Sequence, residues 1–159
     1  MKNNNDFSYS IQVPIKADDA FIKILNIPQW WGVKYSGNAH QLNDLFTVKM
    51  GDESFIHFKV SELTPNTKIS FAVTDCFLPW FSDQQEWNNT TLIFELMEES
   101  DSTIIKFTHQ GLTPALACYN DCNKGWSHWI GTSLNAFLKG GELIPHSQQV
   151  IDSFEHKNA

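Results

Sequence analysis

The feature that most constrains the fold is a change in hydrophobic period along the chain. From Phe7 to His109, apolar residues recur at every second position in short segments separated by turn-forming residues. From Trp126 to Leu138 they recur at every third or fourth position. The first period is typical of strands with one buried face, and the second of an amphipathic helix. This order predicts an antiparallel sheet whose apolar face is covered by a long C-terminal helix.

Six segments show the strand period. The alternation predicts strands at residues 7–15, 45–50, 55–63, 68–74, 90–97 and 103–109. After the first of them, Asp18 and Asp19 place negative charge in the first turn of a short helix, where the helix dipole favours it. Pro28 stops or restarts this helix.

The C-terminal helix is the longest periodic segment. Its apolar face comprises Trp126, Trp129, Ile130, Ser133, Leu134, Phe137 and Leu138. Gly140 and Gly141 are expected to end it. Gly131 lies away from the apolar face, so the pattern does not explain it by close packing.

Charge and length exclude several classes of protein. The net charge of this 159-residue chain is -7, and it contains no arginine, which excludes an arginine finger and an arginine clamp for carboxylates. It also lacks the basic footprint of nucleic-acid binding. Few positive charges flank the aromatic segment at residues 75–89, so membrane insertion is not expected.

The length predicts one domain at residues 7–145, between a disordered segment at residues 1–6 and a polar tail at residues 146–159. The chain has no apolar run near the roughly 20 residues that span a bilayer, and its start is unlike a signal peptide. A cytoplasmic location is expected. Cys76, Cys118 and Cys122 are then reduced thiols, and their spacing predicts neither a metal site nor a cofactor.

Three segments resemble the START/Bet v 1-like (SRPBCC) superfamily, and within it the Aha1-like group. They are Ile11–Ile15 with Ala20 and Phe21, then Pro28–Gly32 with its double tryptophan, then Thr103–Leu112 with Gly125, Trp126 and Leu134. The resemblance implies an α+β helix-grip fold, in which a curved antiparallel sheet wraps around a long C-terminal helix and two short helices follow the first strand. It does not imply one activity.

A curved sheet that grips one helix often encloses a cavity, and such cavities bind small apolar ligands. The candidate ligand-binding residues are Trp30, Trp31, Phe58, Phe71, Phe94, Phe107, His109, Trp126, Trp129, Ile130 and Ser133.

His109 is the one candidate catalytic residue. It shares a strand face with Ile105 and Phe107, so it is expected to point toward the helix. In a cavity it can orient a ligand or act as a general base. Alternatively, it hydrogen-bonds to a backbone group or to Ser133 and stabilises the fold.

The segment from Asp75 to Asn89 interrupts the strand pattern. Its apolar residues are Phe77, Leu78, Trp80, Phe81 and Trp87. Loops of this length in small domains are often functional. Three interpretations stay open: a lid over the cavity, a contact surface for a partner or a second copy of the chain, and a satellite core.

The first functional hypothesis is a non-enzymatic domain that binds a small apolar or aromatic molecule. The second is a cyclase- or hydratase-like enzyme that uses the same cavity, with His109 or a carboxylate of the segment from Asp75 to Asn89 as the acid or base. The third is a module for interaction with a chaperone or another protein, which only the resemblance suggests. A homodimer stays open in each case.

Overall fold

The computed structural model describes residues 6–50, 53–79, 85, 87–114, 116 and 119–145. The strands in this part of the chain are β1 (Phe7–Val13), β2 (Lys34–Gly37), β3 (Leu45–Lys49), β4 (Phe55–Thr64), β5 (Lys68–Phe77), β6 (Thr91–Glu99) and β7 (Ser102–Gln110). The helices are α1 (Ala17–Leu25), a 3₁₀ turn (Ile27–Gln29), α2 (Tyr119–His128), a π-helical turn (Trp129–Leu134) and α3 (Asn135–Leu138).

The strands form one antiparallel sheet in the order β1-β7-β6-β5-β4-β3-β2. From β2 to β7 each strand pairs with the next along the chain, and β1 pairs with β7. The register shifts twice in the β4–β5 pairing, next to His57 and next to Val60. Such irregularities increase the local twist of a sheet. The seven-strand antiparallel sheet and the helical C-terminal segment confirm the predicted α+β helix-grip fold. The two short helices expected after the first strand are α1 and the 3₁₀ turn.

Helix α1 buries its predicted apolar stripe, which includes Phe21, Ile24 and Leu25. Its first turn carries Asp18 and Asp19, as expected. The backbone N–H of Ala17 donates to Glu98 Oε1 at 2.8 Å, so a carboxylate from β6 satisfies one of the free donors at the start of the helix.

The structure differs most from the strand predictions in two places. Strand β2 was missed because its four residues are mostly exposed and it lies at the sheet edge, so it shows no hydrophobic alternation. Strand β5 was expected to end at Thr74 but continues to Phe77, because Cys76 and Phe77 pair with Ile56 and Phe55 of β4. The interruption of the pattern therefore begins later than predicted.

The chain is helical from Tyr119 to Leu138, but not uniformly, since Trp129–Leu134 is π-helical. Gly131 lies within the π-helical turn, and a Cβ atom built there would lie 2.6 Å from Cζ of Tyr9. Close packing of the Tyr9 ring therefore does explain this glycine, contrary to the expectation from the helical pattern. The helix ends before Gly140, which has a φ of 94°, as predicted.

Asp6, the last residue of the predicted N-terminal segment, is the first residue that the structure describes. Its Oδ1 accepts a hydrogen bond from the backbone N–H of Gly111 at 3.0 Å. The other residues of that segment, and the predicted tail at residues 146–159, lie outside the described residues. None of the helices described is both long and apolar enough to cross a membrane.

Candidate functional site

Aromatic side chains from four separate segments meet around Trp126 of α2. The ring centroids of Phe107, Trp31 and Trp87 lie 4.7, 5.0 and 5.8 Å from that of Trp126. Each of these four side chains is at most 4% exposed. Trp31 follows the 3₁₀ turn, Phe107 lies in β7, and Trp87 precedes β6. We call these four residues the Trp126 cluster.

The cluster continues across the sheet through rings on neighbouring strands. Trp31 packs edge-on against Phe58, with 6.2 Å between centroids, and Phe58 contacts Phe71 at 6.4 Å. Phe71 contacts Phe94, and Phe94 contacts Phe107. These separations are those of packed aromatic pairs. These rings therefore occupy part of the space between sheet and helix in which a cavity was predicted.

Two depressions lie at the surface of the described residues. One, of about 630 Å³, lies between Lys16 at the start of α1, the β4–β5 turn at Thr67, and Glu98. The other, of about 260 Å³, lies between Pro28 and Phe137. Neither depression is lined by a residue of the Trp126 cluster.

His109 is fully buried, and both of its ring nitrogens are hydrogen-bonded. Nδ1 accepts from Trp126 Nε1 at 3.0 Å, which leaves the proton of the neutral ring on Nε2. Nε2 therefore donates to Thr90 Oγ1 at 2.9 Å, and Thr90 Oγ1 donates to the Trp87 carbonyl at 2.6 Å. These bonds link α2, β7 and the segment before β6.

Burial lowers the pKa of His109 from 6.5 to about 3. The side chain is therefore neutral at physiological pH, and its unprotonated nitrogen is already occupied by Trp126. This arrangement favours the structural role that the sequence left open for His109. Its partners, however, are Thr90 and Trp126 instead of Ser133 or a backbone group.

Two buried indole N–H groups have no hydrogen-bond acceptor among the described residues. They are Nε1 of Trp31 and Nε1 of Trp87. The neighbouring indoles differ, since Trp30 Nε1 donates to the Ile24 carbonyl at 3.0 Å and Trp126 Nε1 donates to His109. Nearly all buried polar groups in proteins are paired, so each exception calls for an explanation.

Three of the predicted ligand-binding residues lie on the π-helical turn. Ile130 is fully buried in the core. Ser133 Oγ donates to the Trp30 carbonyl at 2.7 Å and accepts from the Ile144 N–H at 3.0 Å, so it joins three segments. Trp129 is half-buried and packs on Gly32, where a Cβ atom would lie 2.6 Å from its ring. These contacts place Trp129 beside the Trp126 cluster, on the turn at residues 28–32 that carries Trp30 and Trp31. We call this turn the tryptophan turn.

Three of the residues predicted as a lid or partner loop lie in the described part of the chain. Phe77 lies in β5 beside Phe55, with 6.3 Å between ring centroids. Leu78 is fully buried, and Trp87 belongs to the Trp126 cluster. Both are therefore core residues and not an exposed contact surface. Trp80 and Phe81 lie outside the described residues.

Thr90 is the residue of this site that the sequence analysis missed. Residues Thr91 and Gln110 are paired in the β6–β7 ladder, so Thr90 lies beside Gly111 and near His109. A Cβ atom at Gly111 would lie 2.8 Å from the Thr90 side chain, and Gly111 has a φ of 97°. The strand register, had it been predicted, would have placed this hydroxyl next to the imidazole.

Two of the three cysteines lie in the described part of the chain. Cys76 and Cys122 are buried, and Cys118 lies outside the described residues. The described part of the chain holds no group of three metal-ligating side chains.

The curved seven-strand sheet and the C-terminal helix packed on it define a helix-grip protein of the Bet v 1-like type. The family of activator of Hsp90 ATPase homolog 1-like proteins matches residues 19–139, and the chain belongs to this family. No curated protein sequence matches the chain.

Several solved structures share the fold. The solution structure of the Aha1 dimer from Colwellia psychrerythraea matches with a TM-score of 0.68 and 19% identity, over 86% of this chain and 97% of that one. CalU16 from Micromonospora echinospora matches with a TM-score of 0.66 and 12% identity, over 96% and 83%. The crystal structure of Ara h 8.0201 matches with a TM-score of 0.59 and 11% identity, over 86% and 98%. At these identities the likeness concerns the fold alone.

Proposed function

We propose that this domain binds a small, flat, apolar molecule among the rings of the Trp126 cluster. The observation that carries this proposal is that two buried indoles from separate segments, Trp31 and Trp87, both pack against the buried indole of Trp126. Rigid aromatic faces stack on planar ligands and lose little conformational entropy in doing so. The cluster also lies between the sheet and the C-terminal helix, which is where a helix-grip fold can open a pocket.

Because the rings are in contact, a ligand enters by displacing one of them. Trp87 is best suited to move. Its carbonyl is held by both the backbone N–H and the side chain of Thr90, at 3.1 and 2.6 Å, so its main chain stays in place. Its indole N–H has no acceptor among the described residues. Rotation of the Trp87 side chain therefore breaks no hydrogen bond that the structure describes.

The direct test is titration with N-phenyl-1-naphthylamine, an uncharged planar probe, monitored by the six indole N–H resonances in NMR. Saturable binding with the largest shifts at Trp31, Trp87 and Trp126 is expected. Trp31→Phe, Trp87→Phe and Trp129→Phe assign the resonances, and the Trp129 resonance is the internal control. The proposal fails if no saturable shift occurs, or if the largest shifts fall on Trp129 or on the surface depression beside Lys16.

The alternative of a cyclase- or hydratase-like enzyme receives no support from the contacts of His109. A general base needs an accessible unprotonated nitrogen and a pKa near the working pH. The Nδ1 atom of His109 is occupied by Trp126, and burial lowers the pKa of the ring to about 3.

We also propose that the chain forms a homodimer. The solved neighbour from Colwellia psychrerythraea is a dimer, and Leu45 and Met97 are apolar side chains that are 64% and 61% exposed here. Light scattering after size-exclusion chromatography tests this, and a monomer at every concentration measured contradicts it. We do not propose a chaperone partner, because only the description of the family suggests such a partner.

A further inference from the structure

Two of the four buried indoles around the tryptophan turn have no acceptor for their N–H groups among the residues that the structure describes. Trp31 and Trp87 are 3% and 4% exposed, so water does not reach these donors easily. Both rings lie within 6 Å of the Trp126 ring, so the two donors belong to one place in the core. A buried donor without an acceptor is destabilising relative to a paired one.

The acceptors nearby are already in use. His109 Nδ1 is taken by Trp126, and the Ile24 carbonyl is taken by Trp30. The Trp87 carbonyl accepts from Thr90. The Trp31 carbonyl accepts from the Val33 N–H at 2.8 Å. None of these acceptors bonds the indole N–H of Trp31 or Trp87, so a bound molecule can supply an acceptor that the described residues do not provide.

The surroundings also define the charge of that molecule. The rings in contact with the Trp126 cluster are aromatic side chains and a histidine that burial keeps neutral. The chain contains no arginine, and no lysine among the described residues is buried. An anion would enter without a counter-charge, which is costly in a buried site.

We propose that the ligand is a neutral aromatic molecule bearing a carbonyl oxygen, and that Nε1 of Trp31 or Trp87 donates a hydrogen bond to this oxygen. This inference rests on the proposed ligand-binding function and adds the chemical class of the ligand. The aromatic part packs on Trp126, and the carbonyl satisfies a donor that has no acceptor in the described part of the chain.

The test compares two probes of nearly the same shape. 2-Acetylnaphthalene carries a carbonyl oxygen, and in 2-isopropenylnaphthalene a methylene group replaces that oxygen. The ketone is expected to bind about tenfold more tightly than the alkene, as one hydrogen bond to a buried donor allows. It should also move the indole N–H resonance of Trp31 or Trp87 downfield, and the alkene should not.

Variants assign the donor. The preference for the ketone should fall to about twofold or less in the W31F/W87F double variant. Trp30→Phe is the matched control, because the Trp30 N–H is already paired with Ile24 and its removal should leave the preference unchanged. If the double variant does not fold, the downfield shifts in the wild type still test whether the indole N–H of Trp31 or Trp87 donates to the ketone.

The outcomes separate the two proposals. Equal binding of both probes overturns the carbonyl inference and leaves the proposed function in place. Binding of neither probe overturns both. A ketone preference that survives in a folded W31F/W87F variant overturns the assignment of the donors.

Discussion

His109 Nδ1 accepts a hydrogen bond from the indole N–H of Trp126 at 3.0 Å, and this bond joins the last strand to the C-terminal helix across the core. Thr90 extends it to the Trp87 carbonyl through two further bonds. Because every polar atom of the imidazole is paired and the ring is fully buried, His109 contributes to the fold as a cross-link between three segments.

His109→Ala should therefore destabilise the protein. The substitution leaves the Trp126 N–H buried without an acceptor and creates a cavity, which together should lower the free energy of unfolding by about 3 kcal/mol. Urea denaturation measures it. A variant of unchanged stability that had lost a catalytic activity would instead support the acid–base alternative.

The same residue should make stability depend on pH. In the folded protein burial lowers the pKa of His109 to about 3, against an ordinary value of 6.5. Above pH 6.5 the ring is neutral in both states and contributes no pH dependence. As the pH falls from 6.5 toward 3, the unfolded chain binds a proton that the folded protein does not, so stability is lost at about 1.4 kcal/mol per pH unit.

His109→Gln is the control for this pH dependence, because other groups titrate in the same range. The difference in unfolding free energy between wild type and variant should shrink as the pH falls below 6.5. A difference that stays constant from pH 7 to pH 4 would show that His109 does not titrate as proposed.

Gly131→Ala should destabilise the contact between the C-terminal helix and β1. The new methyl group would lie within 3 Å of the Tyr9 ring, so the ring, the strand or the helix must shift, at a cost of about 2 kcal/mol. Gly125→Ala is the matched control, since nothing lies within 4 Å of that position in α2. It should raise stability by about 1 kcal/mol through helix propensity. Thermal unfolding of the two variants tests both signs, and a stabilising Gly131→Ala would contradict this packing.

Ser133→Ala should weaken the contact between the π-helical turn, the tryptophan turn and the segment that follows α3. It leaves the buried Trp30 carbonyl and the Ile144 N–H without their shared partner, at a cost of about 2 kcal/mol. Ser127→Ala is the comparison, because the Ser127 hydroxyl bonds one side chain, Asn123, one turn away in the same helix. Its effect should stay within about 0.5 kcal/mol. Hydrogen exchange at the Ile144 amide would report the loss of its hydrogen bond to Ser133. Slow exchange there in Ser133→Ala would argue against a stabilising role of this bond.

The candidate site was predictable in part. Phe58, Phe71, Phe94 and Phe107 alternate with polar residues along their strands, so the side of the sheet that they face follows from the sequence. The role of Trp129 did not follow. Its position in the helical pattern matches that of Trp126, but the π-helical turn that begins at Trp129 changes the direction of the side chains. Nothing in the local pattern signals this turn.

By itself, the sequence determined the order of the elements and the residues that enter the core, because hydrophobic period is a local property that survives in any arrangement of the segments. Only the tertiary structure decided that Thr90 and Trp126 bind His109, that Tyr9 packs on Gly131, and that the indole N–H groups of Trp31 and Trp87 are left without an acceptor among the described residues. These relationships depend on the register of paired strands and on how rings from distant segments share a fixed volume. Neither quantity is encoded within one segment.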